Sequence, residues 1–367
     1  MVVIPLVVSA VIAGVAGLGG SARLGRLGLR SLAVFLGLGL LGVMAGLLLG
    51  WLALPLAPLS PDATAALRAA AASAGDVAAT VRRLPGVGQF LVDLVPTNPV
   101  KAAADGALLP VIVFAVLFGA AAAGLPDGKR AVITDLAEAT MAALIRLIGW
   151  FMVVAPLGVA CLAAPVAARL GWEMVASLGV FIGVLVGGYV LFTALVLTAV
   201  VRFGVRLRVG RFAAAAMPAY AIGFSTTSSM AALPAMLEVA TDDLRISRPL
   251  ASFVLPLAAT LNRPGSGLYQ AVAALFVAQL YGVHLDAAQL VTLAATLLVL
   301  TLSVAAIPRG TVLSLAPALL AVGLPLDGIG LLIGVDQIPD MFRTATNVAG
   351  HLTAVGVVAR AEGEALT

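Results

Sequence analysis

Charge is missing from long stretches of this sequence, and those stretches limit what the chain can become. No Asp, Glu, Lys or Arg occurs in residues 1–22, 31–61, 106–126, 147–168, 174–201 or 212–237. Further charge-free runs cover 249–262, 264–285, 287–308, 310–326 and 344–359. An apolar run of about 18 residues or more is long enough to cross a bilayer as a helix. The pattern therefore predicts an all-α polytopic membrane protein. Composition points the same way: of 367 residues, 62% are hydrophobic and 10% charged, where a soluble domain carries about a quarter charged residues. This excludes an ordinary soluble domain, a disordered chain and a nucleic-acid binder. The net charge of +4 calls for no basic patch. A lone Cys161 offers no disulfide framework, and no charged leader precedes the first apolar run, so no removable signal peptide is expected.

Basic residues set the expected orientation. Arg23, Arg26, Arg30, Lys129, Arg130, Arg202, Arg206, Arg208, Arg211, Arg245, Arg248 and Arg360 fall on one side if spans and hairpins alternate. That side is taken as cytoplasmic, which places the C-terminus there and the chain in the cytoplasmic (inner) membrane. Arg68, Arg82, Arg83, Lys101 and Arg169 fall opposite, while Arg263, Arg309 and Arg343 lie at membrane depth.

Continuous spans are expected near 1–20, 31–57, 107–125, 138–168 and 174–203. Residues 59–106 form an external connection with room for short helices. Beyond residue 208 the pattern changes. Segment 209–241 is apolar at both ends and polar in the middle, around Ser225–Ser229, and segment 286–324 repeats this around Ile307-Pro308-Arg309-Gly310. Each reads as two half-helices meeting at a tip, a shape tolerated at membrane depth only inside protein or beside a wet cavity. Each is followed by a long span, and the first of these is interrupted at Asn262-Arg263-Pro264-Gly265-Ser266. Paired interrupted segments point to a transporter's binding site.

The last span carries Asp336, Asp340, Arg343, Asn347 and His351. At roughly 100° per residue, all five lie within a sector of about 80°. A single such charge facing lipid at the bilayer centre costs at least about 2.5 kcal/mol. The stripe must therefore meet polar groups, a cavity or a ligand. One outcome is a self-neutralised network in which Asp336 or Asp340 pairs with Arg343. The other is a site completed by Ser228, Ser229, Asn262 and the freed carbonyls near Gly265. That site offers a cation for an acid, carboxylates for an ammonium, and donors for a second acid. The planar fork of Arg suits a carboxylate, so an acidic amino acid or a dicarboxylate is the expected ligand.

These residues resemble the dicarboxylate/amino acid:cation symporter family, the glutamate and aspartate transporters. The resemblance covers nearly the whole chain. It is carried by Ala22-Arg23-Leu24-Gly25-Arg26, Val95-Pro96-Thr97-Asn98-Pro99, Ala155-Pro156-Leu157-Gly158, Ser228-Ser229 before Leu233-Pro234, and Asn262 through Gln270. Its strongest part is Asp336-Gln337-Ile338-Pro339-Asp340-Met341-Phe342-Arg343-Thr344, continuing through Asn347 and Gly350. It implies a secondary active transporter with a glutamate-transporter-like elevator fold: a homotrimer in the lipid bilayer, with two re-entrant helical hairpins. Residues 1–57 would be scaffold helices, 58–137 the external connection and span four, and 138–208 spans five and six. Hairpin one would occupy 209–241, broken span seven 247–281, the gating hairpin two 286–324, and substrate-binding span eight 326–360. By position, Arg343 would hold the substrate's side-chain carboxylate and Asp340 its ammonium. Asn347 and Ser229 would hold the main carboxylate, with Ser228, Thr344, Ser266 and Thr311 lining the pocket. The resemblance also implies a span before Met1 that is missing here, which a misassigned start or a truncated chain would explain.

The departures bear on coupling. Where the family carries an Asp after the break, this sequence has Pro264 preceded by Arg263; where its last span carries a sodium-binding Asp, it has His351. The hydroxyl-bearing positions of span three are Phe35, Leu38 and Gly39. Of the side-chain sodium ligands, Asn262 and Asn347 remain, and Arg309 sits at the gate tip. Sodium at the usual sites is therefore not expected. Either Arg263 supplies a tethered positive charge and transport is uncoupled from sodium, or His351 or an Asp such as Asp336 takes up a proton. No cofactor and no metal is expected.

Two other classes were weighed. An intramembrane hydrolase using Asp336 and Asp340 needs carboxylates that share one site, generally from different helices, and these two lie on one helix beside an Arg. A substrate-binding sensor or passive anion channel of the same fold is compatible with the lost sodium ligands.

Overall fold

The computed structural model describes residues 2–17, 21–56, 61–73, 92, 94–169, 172–303 and 310–366. Every regular element among them is helical. Backbone groups in an apolar medium must be satisfied within the segment, which leaves helix as the form open to these Val-, Leu- and Ala-rich runs.

The first helices are α1 (Val3–Gly17), α2 (Ser21–Ala53), α3 (Pro61–Ser73), α4 (Pro99–Ala104), α5 (Leu108–Ala123) and α6 (Asp127–Arg169). α7 (Trp172–Leu191) runs on through a π-helical turn at Phe192–Leu197 and a second at Val201–Val205. The described part of the connection predicted at 59–106 thus includes the short helices α3 and α4. The second starts where Asn98 Oδ1 accepts from the amides of Val100 and Lys101, both at 3.0 Å, with Pro99 in the first turn, a combination that favours helix initiation.

In the later half the described helices break within 209–241 and at 262–263, near two of the places the sequence indicates. α8 (Val209–Thr226) ends at Thr227, whose φ of 50° is left-handed, and α9 (Leu233–Glu238) resumes after the polar tip. α10 (Arg248–Leu261) and α11 (Pro264–Tyr281) are separated by Asn262 and Arg263 alone. The break is narrower than predicted because Pro264 opens the new helix, so Gly265 and Ser266 already lie in its first turn. Pro at a first helical position loses no hydrogen bond. α12 (Ala287–Ser303) is followed, where the described chain resumes, by α13 (Gly310–Leu313) and α14 (Ala316–Ala321), and α14 packs back against α12. Arg309 and the expected tip of that segment lie outside the described residues. The last span is two helices, α15 (Asp327–Val335) and α16 (Gln337–Ala361), joined at Asp336.

Packing sorts the helices into two groups. α1 packs on α5 and α6. α2 packs instead on α11, and also touches α7, α12 and α16. The two helices within 1–57 therefore have different neighbours. The α2–α11 contact is close: a Cβ placed on Gly46 would lie 2.5 Å from the Leu268 carbonyl oxygen. The groups meet where α1 crosses α10; a Cβ on Gly14 would lie 2.8 Å from the Phe253 amide nitrogen.

Two helices among the described residues are long and apolar enough to cross a membrane, Leu24–Leu56 and Leu178–Val205. Leu40, Met44, Leu48 and Trp51 stand exposed along one face of α2, and Val190, Leu191, Leu195 and Phe203 along the second. Apolar ridges of this size need lipid or protein over them. Charged groups tie several helix ends together. Arg30 Nη1 donates to the Ala361 carbonyl at 2.7 Å and to Glu362 at 2.5 Å, and Ser247 donates its amide to Glu364 at 2.9 Å. At another place, Arg68 Nε donates to the Leu280 carbonyl at 2.9 Å, with its guanidinium over the Tyr281 ring.

Candidate substrate-binding site

The polar stripe points inward. Asp336, Arg343, Asn347 and His351 are buried, and Asp340 is half-buried. The helix face that carries them packs against α8, α10, α11 and α2.

Arg343 is the centre of the site. Its Nη1 donates to Asp336 Oδ1 at 2.8 Å and its Nη2 to Asp336 Oδ2 at 3.0 Å. Nη2 also donates to Asp340 Oδ1 at 2.6 Å. Its Cζ stands 4.6 Å from the centre of the Tyr269 ring, which covers one face of the guanidinium; such contacts strengthen when desolvated. Thr344 Oγ1 donates to Asp340 Oδ1 at 3.4 Å. The Tyr269 hydroxyl lies near Asp336 and that of Tyr189 near Arg343, and neither completes a hydrogen bond.

A second cluster lies where the α10–α11 break meets α16. Asn347 Oδ1 accepts from the Gly265 amide at 2.9 Å, and its Nδ2 reaches Ser266 Oγ at 3.4 Å. Asn262 Nδ2 donates to the Gly350 carbonyl at 2.9 Å, one of the last-helix carbonyls that the broken chain can reach. Gly265 is required here: a Cβ would sit 2.8 Å from the Arg343 carbonyl oxygen and 3.0 Å from Asn347 Oδ1. Arg263 is half-buried. Its Nε donates to the Thr260 carbonyl at 3.2 Å, and it pairs with no carboxylate among the described residues. It stands within electrostatic reach of Arg343, Asp340 and His351. His351 is fully buried against the Asn262 backbone, and among the described residues neither its ring nitrogens nor Asn262 Oδ1 completes a hydrogen bond of good geometry. Buried polar atoms without partners are rare, and each one needs a specific explanation.

The other expected residues sit around these clusters. Ser228 and Ser229 are half-buried at the tip after α8; Ser228 Oγ accepts from the Ala231 amide at 3.2 Å. The tip is held to α16 by an edge-to-face contact of Phe224 with Phe342, centroids 5.0 Å apart. No described hydrogen bond runs from either serine to Asn347 or Arg343. Thr311 is buried, and its carbonyl accepts from Gln270 Nε2 at 3.1 Å.

Tyr269, Tyr189, Gln270 and Thr346 were given no role by sequence. Tyr269 and Gln270 stand in the motif after the break, which was the available signal. Thr346 Oγ1 meets Thr193 Oγ1 at 3.4 Å through the first π-helical turn of α7, a distortion the sequence does not announce; such turns recur at functional sites. Among the described residues, no group of three or more His, Cys, Asp or Glu stands together as a metal site.

A family model described as the sodium:dicarboxylate symporter family matches residues 1–361. The proton/glutamate-aspartate symporter of Escherichia coli (strain K12) is 33% identical over 364 residues, 99% of this chain and 82% of that protein. The proton/sodium-glutamate symport protein of Bacillus subtilis (strain 168) is 31% identical over 373 residues, 99% of this chain and 83% of its own. A C4-dicarboxylate transport protein of Anaeromyxobacter sp. (strain K) is 33% identical over 366 residues, covering 99% and 81%.

Proposed function

We propose that this chain, which belongs to the sodium:dicarboxylate symporter family, carries acidic amino acids or C4-type dicarboxylates across the cytoplasmic membrane. The family and these relatives are membrane transporters rather than enzymes. The observation that carries the substrate class is a buried guanidinium with one face on an aromatic ring and acidic, amide and hydroxyl groups around it. Arg343 binds the substrate's side-chain carboxylate, Asp340 its ammonium, and Asn347 with Ser229 its main carboxylate. Ser228, Ser266, Thr311 and Thr344 complete the lining.

The two interrupted segments act as re-entrant hairpins, 209–241 fixed and 286–324 as the gate. The packing groups support an elevator movement with α1, α5 and α6 as scaffold. By that criterion α2 travels with the substrate-bearing helices. The assembly is a homotrimer with its C-terminus in the cytoplasm. Coupling runs without sodium at the family's usual positions. In one account Arg263 brings a fixed positive charge to the break and transport is uncoupled from sodium; in the other His351, or an Asp such as Asp336, takes up a proton.

Uptake of radiolabelled aspartate, glutamate and succinate into proteoliposomes tests this. Arg343→Ala abolishes uptake, and replacing sodium by potassium leaves the wild-type rate unchanged. Undiminished uptake by Arg343→Ala sinks the site assignment, and strict sodium dependence sinks the coupling reading. Since Arg343 is already neutralised by two carboxylates, the alternative is a substrate sensor or passive anion channel. Binding without counterflow identifies the sensor, and flux without saturation the channel.

A further inference from the structure

A guanidinium offers two edges on which a carboxylate can sit with two parallel hydrogen bonds. On Arg343 the end edge, Nη1 with Nη2, is taken by Asp336. The side edge, Nε with Nη2, is half taken: Nη2 is shared with Asp340, and Nε makes no hydrogen bond among the described residues. The two aspartates are held differently. Asp336 makes two bonds and its side chain is 4% exposed, whereas Asp340 makes one bond to the guanidinium and is 27% exposed. A bidentate newcomer therefore reaches Arg343 by the side edge, and Asp340 must leave Nη2 to let it in.

Resting on the transport reading above, we propose that substrate loading is a carboxylate exchange at Arg343, in which the displaced Asp340 is neutralised by the substrate's own ammonium or, for a substrate without one, by a proton. The exchange is balanced as follows. The Asp340–Nη2 hydrogen bond breaks and two hydrogen bonds form between Nε, Nη2 and the incoming acid. With an amino acid, Asp340 then accepts from the ammonium. With a dicarboxylate, the O–H or N–H bond of a buffer acid breaks, an O–H bond forms on Asp340, and the conjugate base stays in solution; no other covalent bond changes.

Among the described residues, the charged and titratable groups around Asp340 offer it no second cation to pair with. They are Asp336 and Arg343 on its own segment, Tyr189 on α7 and Arg263 ahead of α11, with the Tyr269 phenol against Asp336 rather than Asp340. Arg343 is then occupied on both edges, and Asp336 and the phenols supply no positive charge. Arg263 is held at Nε by the Thr260 carbonyl and has no ion pair with Asp340. A carboxylate left unpaired in such surroundings takes a proton. The two classes of substrate thus load the site to the same net charge only if the dicarboxylate brings one proton more.

Calorimetric titration of the purified full chain with L-aspartate and with succinate, each in two buffers of different ionisation enthalpy, counts the protons taken up per binding event. Both ligands are added at a pH where their carboxyls are ionised. Succinate is expected to take up about one proton more than aspartate. In Asp340→Asn, aspartate affinity drops more than tenfold and the succinate proton count falls by about one. Equal counts for the two ligands on the wild type overturn the exchange, as does an unchanged succinate count in Asp340→Asn. Binding of aspartate alone overturns it as well, since a dicarboxylate could not then be neutralised. Binding of neither ligand overturns the transport reading itself, a result distinguishable from the other three.

Discussion

Arg343 grips Asp336 with both terminal nitrogens, at 2.8 and 3.0 Å, across the joint between α15 and α16. The pair is buried on both sides, with side-chain exposures of 3% and 4%. Asp336 closes α15 and opens α16, so this ion pair staples two helices that the backbone joins through one residue. It also holds the guanidinium in a single orientation under the Tyr269 ring.

Breaking a buried pair from one side leaves a charge without compensation, which costs about 3–5 kcal/mol. Asp336→Ala leaves Arg343 with Asp340 as its remaining carboxylate, so the thermal unfolding midpoint in detergent is expected to fall, by less than the full cost of a stranded charge. Asp336→Ala/Arg343→Ala should be less damaged than the two single losses added together, since both single changes break the same ion pair and the double change leaves only Asp340 without its cation. Additive losses in that cycle would show that the two residues act independently.

The Tyr269 ring, not its hydroxyl, supports Arg343. The hydroxyl has no hydrogen-bond partner, whereas the ring lies 4.6 Å from Cζ. Tyr269→Phe should bind substrate as the wild type does, and Tyr269→Leu should weaken binding by about 0.5–2 kcal/mol. Equilibrium titration of both variants decides it; a large loss in Tyr269→Phe would assign the role to the hydroxyl.

Gly265 permits the break to touch α16. An added methyl meets the Arg343 carbonyl at 2.8 Å, and forcing volume into such a contact costs about 1–3 kcal/mol. Gly265→Ala is expected to lose both stability and substrate affinity. Gly28→Ala, where a Cβ meets nothing within 4 Å, serves as the control and should be neutral in the same melting assay.

Glu362 ties the end of α16 to α2 through Arg30 at 2.5 Å and Arg26 at 3.5 Å. The carboxylate is 4% exposed and the two guanidinium side chains 41% and 54%, so salt weakens the tie only in part. Glu362→Gln should lower stability by about 1 kcal/mol or less. The difference from wild type should shrink as ionic strength rises, and a salt-independent difference would argue for packing rather than charge.

The spans and the stripe could be read in the sequence because both follow from spacing. Charge-free runs have a length, and residues 336, 340, 343, 347 and 351 share an azimuth whatever surrounds them. What spacing cannot supply is the opposite wall. Tyr269 and Tyr189 come from other helices, and only the folded chain brings them to Arg343. Between the self-neutralised network and the open site, the stripe alone could not decide, because the fork can face Asp336 or a ligand with equal helical geometry. The structure has Arg343 paired with both carboxylates, which is the self-neutralised network; the open site follows from it only through the proposed exchange. The break at 262–263 was placed too broadly because Pro and Gly interrupt helices in general, whereas Pro264 here begins one. The division of residues 1–57 between two packing groups was hidden for a related reason. α1 and α2 are both apolar, and only the glycines at 14, 42 and 46, placed against α10 or α11, mark which neighbour each one approaches.

The crossing of α1 and α10 at Gly14 has a mechanical consequence. Helices normally interlock, ridge into groove, and must ride over one another to slip. At Gly14 one backbone rests directly on another, near the Pro249 carbonyl and the Phe253 amide, and the side chain beside that contact is the compact Pro249 ring against Gly17. Such a seam resists separation, because its atoms are in close van der Waals contact, yet it offers little resistance to shear along its length. A methyl at position 14 would put a burr on that bearing surface.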